Sequence, residues 1–189
     1  MMKMRRYRKT SGFTIVELLV VLIIIGLLTA IAAPAWQGFL TNQRLSAAQN
    51  AAFLAIREAQ SNAKRTKEDW IVVFRRNPSG ESQYAVLGLN GVNQATVAGS
   101  DALPWRNLGE GVTIVPNTDP NTPRTSFFKV AGQETYYLRF DKNGFAPSIG
   151  AAGRNIVITG FVAGRQVGDR RCVLINTMVG GLRQTCPSS

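Results

Sequence analysis

An uncharged apolar segment near the start of the chain limits what it can fold into more than any other feature. Residues 18–33 carry no charged side chain and a single hydroxyl group, that of Thr29. Extended to Trp36, the segment is about long enough, at ~1.5 Å of rise per helical residue, to cross a hydrocarbon core of ~30 Å. The segment therefore predicts a helix that spans a membrane.

A carboxylate stands directly before this apolar segment. Glu17 needs a partner, a proton or access to the membrane interface, because a charge near an apolar helix end is unfavourable. If the chain were cut after Gly12, the new ammonium group of Phe13 would lie about one helical turn from Glu17. Glu17 could pair with that group or with the same group of a neighbouring chain, which would set the axial register of packed helices. The alternative is an interfacial glutamate among lipid headgroups.

The residues around this carboxylate resemble a known signal. Residues 12–21, Gly-Phe-Thr-Ile-Val-Glu-Leu-Leu-Val-Val, are similar to the class III signal of type IV pilins and of type II secretion pseudopilins. The resemblance implies that a prepilin peptidase cuts after Gly12 and methylates Phe13. It also implies that Glu17 acts in assembly with other pilins or pseudopilins, and that Pro34 marks the point where the helix loosens in the fibre.

The distribution of charge predicts how the chain is oriented in the membrane. Five of the 22 basic residues and none of the 11 acidic residues precede Gly12, so removing this leader changes the net charge from +11 to 17 minus 11, or +6. The positive-inside rule keeps such a leader in the cytoplasm. We therefore expect a single-pass inner-membrane protein with a periplasmic head, which then enters a pilus or pseudopilus.

The composition argues against catalysis. The chain contains no histidine, which excludes histidine general acid–base chemistry and histidine metal ligands. No nucleophile–base pair, phosphate-binding Gly-Lys-Ser/Thr sequence or metal-ligand spacing appears. The sequence therefore predicts a protein that is not an enzyme and holds neither metal nor cofactor.

The two cysteines, Cys172 and Cys186, both lie in the part that would be exported. An oxidising compartment would let them form a disulfide. A hairpin of the last two strands that placed them opposite each other would bring their Cα atoms to ~5 Å. The alternative is a pair of unlinked, small apolar residues.

Beyond Pro34 the pattern becomes amphipathic and predicts that the helix continues. Small apolar residues recur at helical spacing at Leu45, Ala48, Ala52, Ala55, Ala59 and Ala63. The opposite face carries Arg44, Gln49, Asn50, Arg57 and Lys64. An alanine stripe of this kind can lie close against a sheet. Residues 53–63 also resemble the helix end of the FimT and H-type pseudopilin (GspH) subfamily.

From Trp70 onward, short β-branched and aromatic runs alternate with Gly, Pro and Asn, which predicts a sheet domain. The predicted strands are 71–74, 84–87, 112–115, 127–130, 136–140, 156–158, 172–175 and 182–185. Apart from the predicted strand 112–115, residues 90–124 predict a long surface loop.

Two patterns around residue 140 predict local structure. Alternation over residues 136–140 places Tyr136, Leu138 and Phe140 in the core and turns Tyr137 and Arg139 outward. The Asn-Gly pair at residues 143–144 then predicts a hairpin turn.

Together these patterns predict an α+β, pilin-like fold, in which a long N-terminal transmembrane and amphipathic helix packs on a C-terminal antiparallel β-sheet domain. The expected parts are a cytoplasmic leader at 1–12, a transmembrane helix half at 13–36, an amphipathic helix half at 37–68 and a β-rich head at 69–189.

The resemblance implies two functions that the quoted residues do not separate. The first is a minor pilin of a type IV pilus, active in pilus assembly and in DNA uptake for natural transformation. The alternative is an H-type minor pseudopilin of a type II secretion system. Both require a prepilin peptidase and neighbouring pilin-like subunits as partners.

DNA binding is a further hypothesis, since the net charge of +6 would favour a polyanion. Some FimT-type pilins end in Gly-Arg-x-Arg, but residues 180–183 read Gly-Gly-Leu-Arg, so only the last arginine matches. The candidate phosphate-binding residues are Arg154, Arg165, Arg170, Arg171 and Arg183. They would have to converge on one face. The alternative is that they are scattered solubilising charges.

Overall fold

A computed structural model describes residues 12–98, 100–115, 125–147, 149, 154–162, 165–177 and 179–186. Within these ranges, the side chains of residues 32–35, 94, 95, 155, 161, 162 and 165–169 lie outside the description. The chain divides into two compact units, Met1–Phe39 and Leu40–Ser189. Helix α1, Ile15–Thr66, contributes residues to both units.

The first unit is a helical segment with apolar side chains on every side. All side chains from Ile15 to Ile31 are exposed. No single helix in the described part of the chain is long and apolar enough to cross a membrane by itself, and Ile15–Ile31 and Trp36–Thr66 meet that test only together, as a bent pair. A helix that is apolar all round requires a lipid or protein environment to cover it.

In the second unit, α1 packs on antiparallel sheet through a narrow apolar stripe. The buried residues of the stripe are Leu45, Ala48, Ala52, Ala55, Ile56, Ala59 and Ala63, each at most 2% exposed. Because alanine carries only a methyl group, the helix axis can approach the strands closely. This arrangement confirms the predicted α+β, pilin-like fold.

The strands form two antiparallel sheets. Nine strands are present in the described residues: β1 Trp70–Arg76, β2 Ser82–Gly88, β3 Arg106–Asn107, β4 Val112–Ile114, β5 Phe128–Lys129, β6 Thr135–Phe140, β7 Arg154–Val162, β8 Arg165–Ile175 and β9 Leu182–Arg183. One sheet has the order β3-β2-β1-β6-β5, and the other has the order β4-β7-β8-β9. The eight predicted strands are all found, and β3 was not predicted. Strands β1, β2, β6, β7 and β8 are longer than predicted, and β4, β5 and β9 are shorter.

Strand β6 confirms half of the predicted alternation. It pairs with β1 from Trp70 opposite Phe140 to Arg75 opposite Thr135. Tyr136, Leu138 and Phe140 are buried against α1, as predicted. Tyr137 was predicted to face outward, but it is only 8% exposed and packs with Ile71 and Val73.

The segment that covers Tyr137 corrects the prediction of a long surface loop. It contains a short helix, α2 (Gln94–Ala98), and contributes Leu89, Ala98, Leu103 and Trp105 to an apolar cluster on the outer face of the first sheet. The guanidinium carbon of Arg75 lies 3.9 Å from the centre of the Trp105 ring. Residues 116–124 of the predicted loop lie outside the described residues.

The Asn-Gly turn is present, but it does not lead into a hairpin. Gly144 has a φ of +74°, and the carboxylate of Asp141 accepts hydrogen bonds from the amides of Asn143 and Phe145 at 2.9 and 2.8 Å. In the described residues, β6 pairs with β1 and β5 and with no strand that follows the turn. The chain instead enters the core, where Ala146 and Ile149 are buried.

Candidate processing and assembly site

The start of α1 is fixed by a capping interaction. The Oγ1 atom of Thr14 accepts a hydrogen bond from the amide of Glu17 at 3.2 Å. The carbonyl oxygen of Thr14 accepts the first helical bond, from the amide of Leu18, also at 3.2 Å. Thr14 is therefore the N-cap residue, and its hydroxyl satisfies the amide of Glu17, which the first turn would otherwise leave unpaired.

The predicted cleavage position lies immediately before this cap. Gly12 and Phe13 are outside the helix and exposed, with Phe13 at 84%. A Cβ atom placed on Gly12 would find no neighbour within 4 Å. The fold itself therefore does not require glycine here, so a demand for a small residue would have to come from an enzyme that binds this segment.

Glu17 occupies the first turn of α1, three residues after the cap. The helix dipole favours a negative charge at this end. Thr14 and Glu17 also have the spacing of a capping box, so the sequence itself carries a local signal for this cap. Pairing between Glu17 and the ammonium group of a cut chain stays a prediction.

Pro34 lies within the residues assigned to α1, but its side chain lies outside those described. Its role in loosening the helix in a fibre stays a prediction.

The candidate phosphate-binding arginines do not converge on one face. Arg170 lies where the register between β7 and β8 shifts, so alternation does not assign it a face. Arg183 lies opposite Leu174, on the face that Leu174 shares with Cys172. Arg171 alternates with the core residues of β8 and so belongs to the opposite face. The strand position of Arg165 is described, but its side chain is not.

Arg154 is held by groups of its own domain. Its Nη1 atom donates to the carbonyl oxygen of Ser126 at 2.6 Å. Its guanidinium carbon lies 3.9 Å from the centre of the Phe128 ring. Arg154 pairs with Ile175 of β8, so it shares the face of Arg171 and lies on the face opposite Arg183. The strands therefore divide the candidates between the two faces of the sheet.

The structure contains the disulfide between Cys172 and Cys186, with a Cα–Cα distance of 4.8 Å. Cys172 lies in β8 and packs with Val115 and Val157. The predicted last strand, 182–185, is shorter in the structure, and Cys186 follows it rather than standing opposite Cys172 within a ladder. The disulfide therefore fastens the segment after β9 to β8.

Two buried glutamines on α1 were not identified from the sequence. Gln49, predicted to face solvent, is buried and donates from Nε2 to the carbonyl oxygens of Cys172 at 2.8 Å and Gln184 at 3.1 Å. Gln60 donates from Nε2 to the carbonyl oxygens of Gly144 at 3.1 Å and Val179 at 2.8 Å. These side chains attach the helix to backbone that lies far along the chain.

The described residues offer no metal site, because no three of their His, Cys, Asp or Glu side chains form a group that could hold an ion. A cavity of about 470 Å³ is lined by Asp69, Leu89, Gly91, Val92, Asn93 and Arg139. Its two charged residues, Asp69 and Arg139, form an ion pair with each other.

One family model matches the chain, and it covers the candidate site. The prokaryotic N-terminal methylation motif matches residues 7–33, which include Gly12, Phe13 and Glu17. No curated protein and no solved structure is detectably similar to the chain. The narrower resemblance to the FimT and GspH subfamily stays a prediction. The motif supports a pilin-like protein, that is, a structural subunit of the type IV pilin or pseudopilin class that a prepilin peptidase processes and that assembles with other pilins.

Proposed function

We propose that the chain is a minor pilin of a type IV pilus, cut between Gly12 and Phe13 and methylated on the new N-terminus. The observation that carries the proposal is the methylation motif, whose scissile bond lies exposed directly before a capped apolar helix. An accessible, non-helical peptide bond is the form that a peptidase can bind.

The apolar half of α1 supports membrane anchoring before assembly and packing against other subunits afterwards. Its side chains from Ile15 to Ile31 are exposed, so a lipid or protein environment has to cover them. We propose that the leader stays cytoplasmic and that the head is periplasmic. After cleavage, the ammonium group of Phe13 would pair with Glu17 of the same or a neighbouring subunit.

An H-type minor pseudopilin of a type II secretion system is the alternative. It would use the same signal, the same helix and the same peptidase. The resemblance of residues 53–63 is to the FimT and H-type pilins together, and nothing in the described part of the head separates the two systems.

DNA binding during uptake is a second candidate function, and it rests on one observation. Arg183 is exposed on the edge strand β9, and Arg170 is partly exposed on the neighbouring strand β8. Two phosphate contacts would give weak binding that is sensitive to salt. Such binding would become useful only if several subunits contributed.

Co-expression of the full chain with a prepilin peptidase tests the main proposal. Mass spectrometry should find a chain that begins at Phe13 and carries one additional methyl group. An N-terminus at any other residue would contradict the proposal. In the source organism, loss of surface pili after deletion would favour the minor pilin, and loss of protein secretion with normal piliation would favour the pseudopilin.

A further inference from the structure

We infer that Thr14 positions the scissile peptide bond for the peptidase by fixing where α1 begins. The inference rests on the proposed function, because it assumes cleavage between Gly12 and Phe13. It assigns a role to a side chain that is neither at the cut nor part of the proposed assembly contact of Glu17.

The geometry places the cap one residue after the new N-terminus. Thr14 accepts the amide of Glu17 with its hydroxyl oxygen and the amide of Leu18 with its carbonyl oxygen. Gly12 and Phe13 precede the helix and are exposed. The amide and carbonyl groups of the scissile bond are therefore not committed to the helical ladder.

Without the cap, the helix could grow backwards over the scissile bond. The first turn leaves four amides without helical partners, and any upstream residue with a short polar side chain can replace a lost cap. In the sequence, Thr10 and Ser11 are such residues, two to three positions before Phe13. A helix that began there would include the peptide bond that must be cut.

The rate of cleavage should follow the fraction of chains with a non-helical scissile bond, because only that form binds productively. Alanine at position 14 removes the hydroxyl acceptor and is also the strongest helix former, so it favours backward growth twice over. Valine has nearly the shape of threonine but cannot accept a hydrogen bond. Serine and asparagine are both good N-cap residues.

The experiment measures initial cleavage rates of the full chain in membrane vesicles with a purified prepilin peptidase. We expect Thr14→Ser and Thr14→Asn to be cut within about 2-fold of the wild-type rate. We expect Thr14→Ala and Thr14→Val to be cut between about 2-fold and about 30-fold more slowly, the range that corresponds to loss of a typical N-cap. Slower hydrogen exchange at the amides of Val16 and Glu17 in the uncut chain should accompany the slower cleavage, because a helix grown backwards pairs these amides with the carbonyl oxygens of Gly12 and Phe13.

Thr29→Ala is the matched control, since it makes the same change within the same helix. Thr29 donates its hydroxyl to the carbonyl oxygen of Ile25 at 2.7 Å and caps nothing. Its cleavage rate should equal that of the wild type. A slow Thr29→Ala would mean that any threonine loss in this helix impairs cleavage, and would overturn the inference.

Other outcomes also decide the matter. Wild-type rates for Thr14→Val would show that the peptidase reads side-chain shape rather than the cap. A slow Thr14→Asn would show that it reads the hydroxyl group itself. Either result overturns the inference and leaves the proposed function intact, whereas a wild-type chain that is not cut after Gly12 contradicts the proposed function.

Discussion

The two halves of α1 have the same secondary structure and opposite surroundings. Between Ile15 and Ile31 every side chain is exposed, although nearly all are large and apolar. Between Leu45 and Ala63 the apolar side chains are smaller, and one stripe of them is buried completely within the second unit. Burial in a protein therefore does not follow from hydrophobicity alone, because small side chains that fit a sheet are covered by their own domain, while large ones here await another environment.

The largest expected effect concerns the segment just before the apolar half and leaves the buried half unaffected. Gly12→Val should block cleavage and leave an uncut precursor in the membrane, because the peptidase needs a small residue at the cut. The head should fold normally, since a side chain at Gly12 meets no neighbour within 4 Å. Electrophoresis of membranes should show the longer chain, and non-reducing peptide mapping should show the Cys172–Cys186 disulfide. Efficient removal of the leader from this variant would refute the prediction.

Glu17→Ala should act one step later. We expect normal cleavage and strongly reduced entry into fibres, since the ammonium group of Phe13 would lose its carboxylate partner. Quantitative immunoblots of sheared fibres against whole membranes would measure this, with Glu17→Asp as a variant that keeps the charge. Incorporation of Glu17→Ala at the wild-type level would show that assembly does not need pairing between Glu17 and the ammonium group of Phe13.

Ala52→Leu tests the buried stripe of the second half. Ala52 is fully buried in the core cluster, and added methylene groups in a close-packed core destabilise by about 1–3 kcal/mol. Thermal unfolding of the full chain in detergent, followed by circular dichroism, should show a lower midpoint. The matched variant Leu22→Ala, in the exposed half, should leave the unfolding of the head unchanged. Equal midpoints for wild type and Ala52→Leu would mean that the stability of the head does not depend on close packing of α1 against the strands.

The smallest expected effect concerns DNA. Each phosphate contact that is lost reduces the slope of log K against log salt by about 0.9 on duplex DNA. Arg183→Gln should therefore lower the slope by about one unit and weaken binding equally for all sequences. Arg154→Gln should leave the slope unchanged, because Arg154 is on the other face. Fluorescence titrations at several salt concentrations would compare them, and absence of wild-type binding at low salt would eliminate this function.

The parts that were predicted correctly depend on local periodicity. The alanine stripe of α1 and the core positions Tyr136, Leu138 and Phe140 follow from spacing within a few residues. Two of the wrong predictions concern Tyr137 and Gln49, and in both cases the covering group is remote in sequence. Gln49 is separated by 123 residues from Cys172, whose carbonyl it binds. No local pattern could show that an amide side chain on a helix would meet such a partner.

At the candidate site, too, the residues that could be predicted are those that belong to a local signal. The cleavage residues and Glu17 could be named because the signal is contiguous, and the cap at Thr14 was equally local but was not recognised. The proposed cluster of arginines depended on which face each strand presents. Arg154 lies opposite Ile175 and Arg183 lies opposite Leu174, so the two arginines are on opposite faces of the sheet. Strand register of this kind cannot be derived from composition.

The glutamine contacts of α1 have a consequence for the order in which the chain becomes structured. A chain made from its N-terminus presents Gln49 and Gln60 long before their carbonyl partners, which lie up to 135 residues later. Until those residues arrive, each amide must remain hydrated, because burying it unpaired would cost about 1–3 kcal/mol. The helix can therefore form early during synthesis, but its closure against the second sheet has to wait for the last tenth of the polypeptide to emerge.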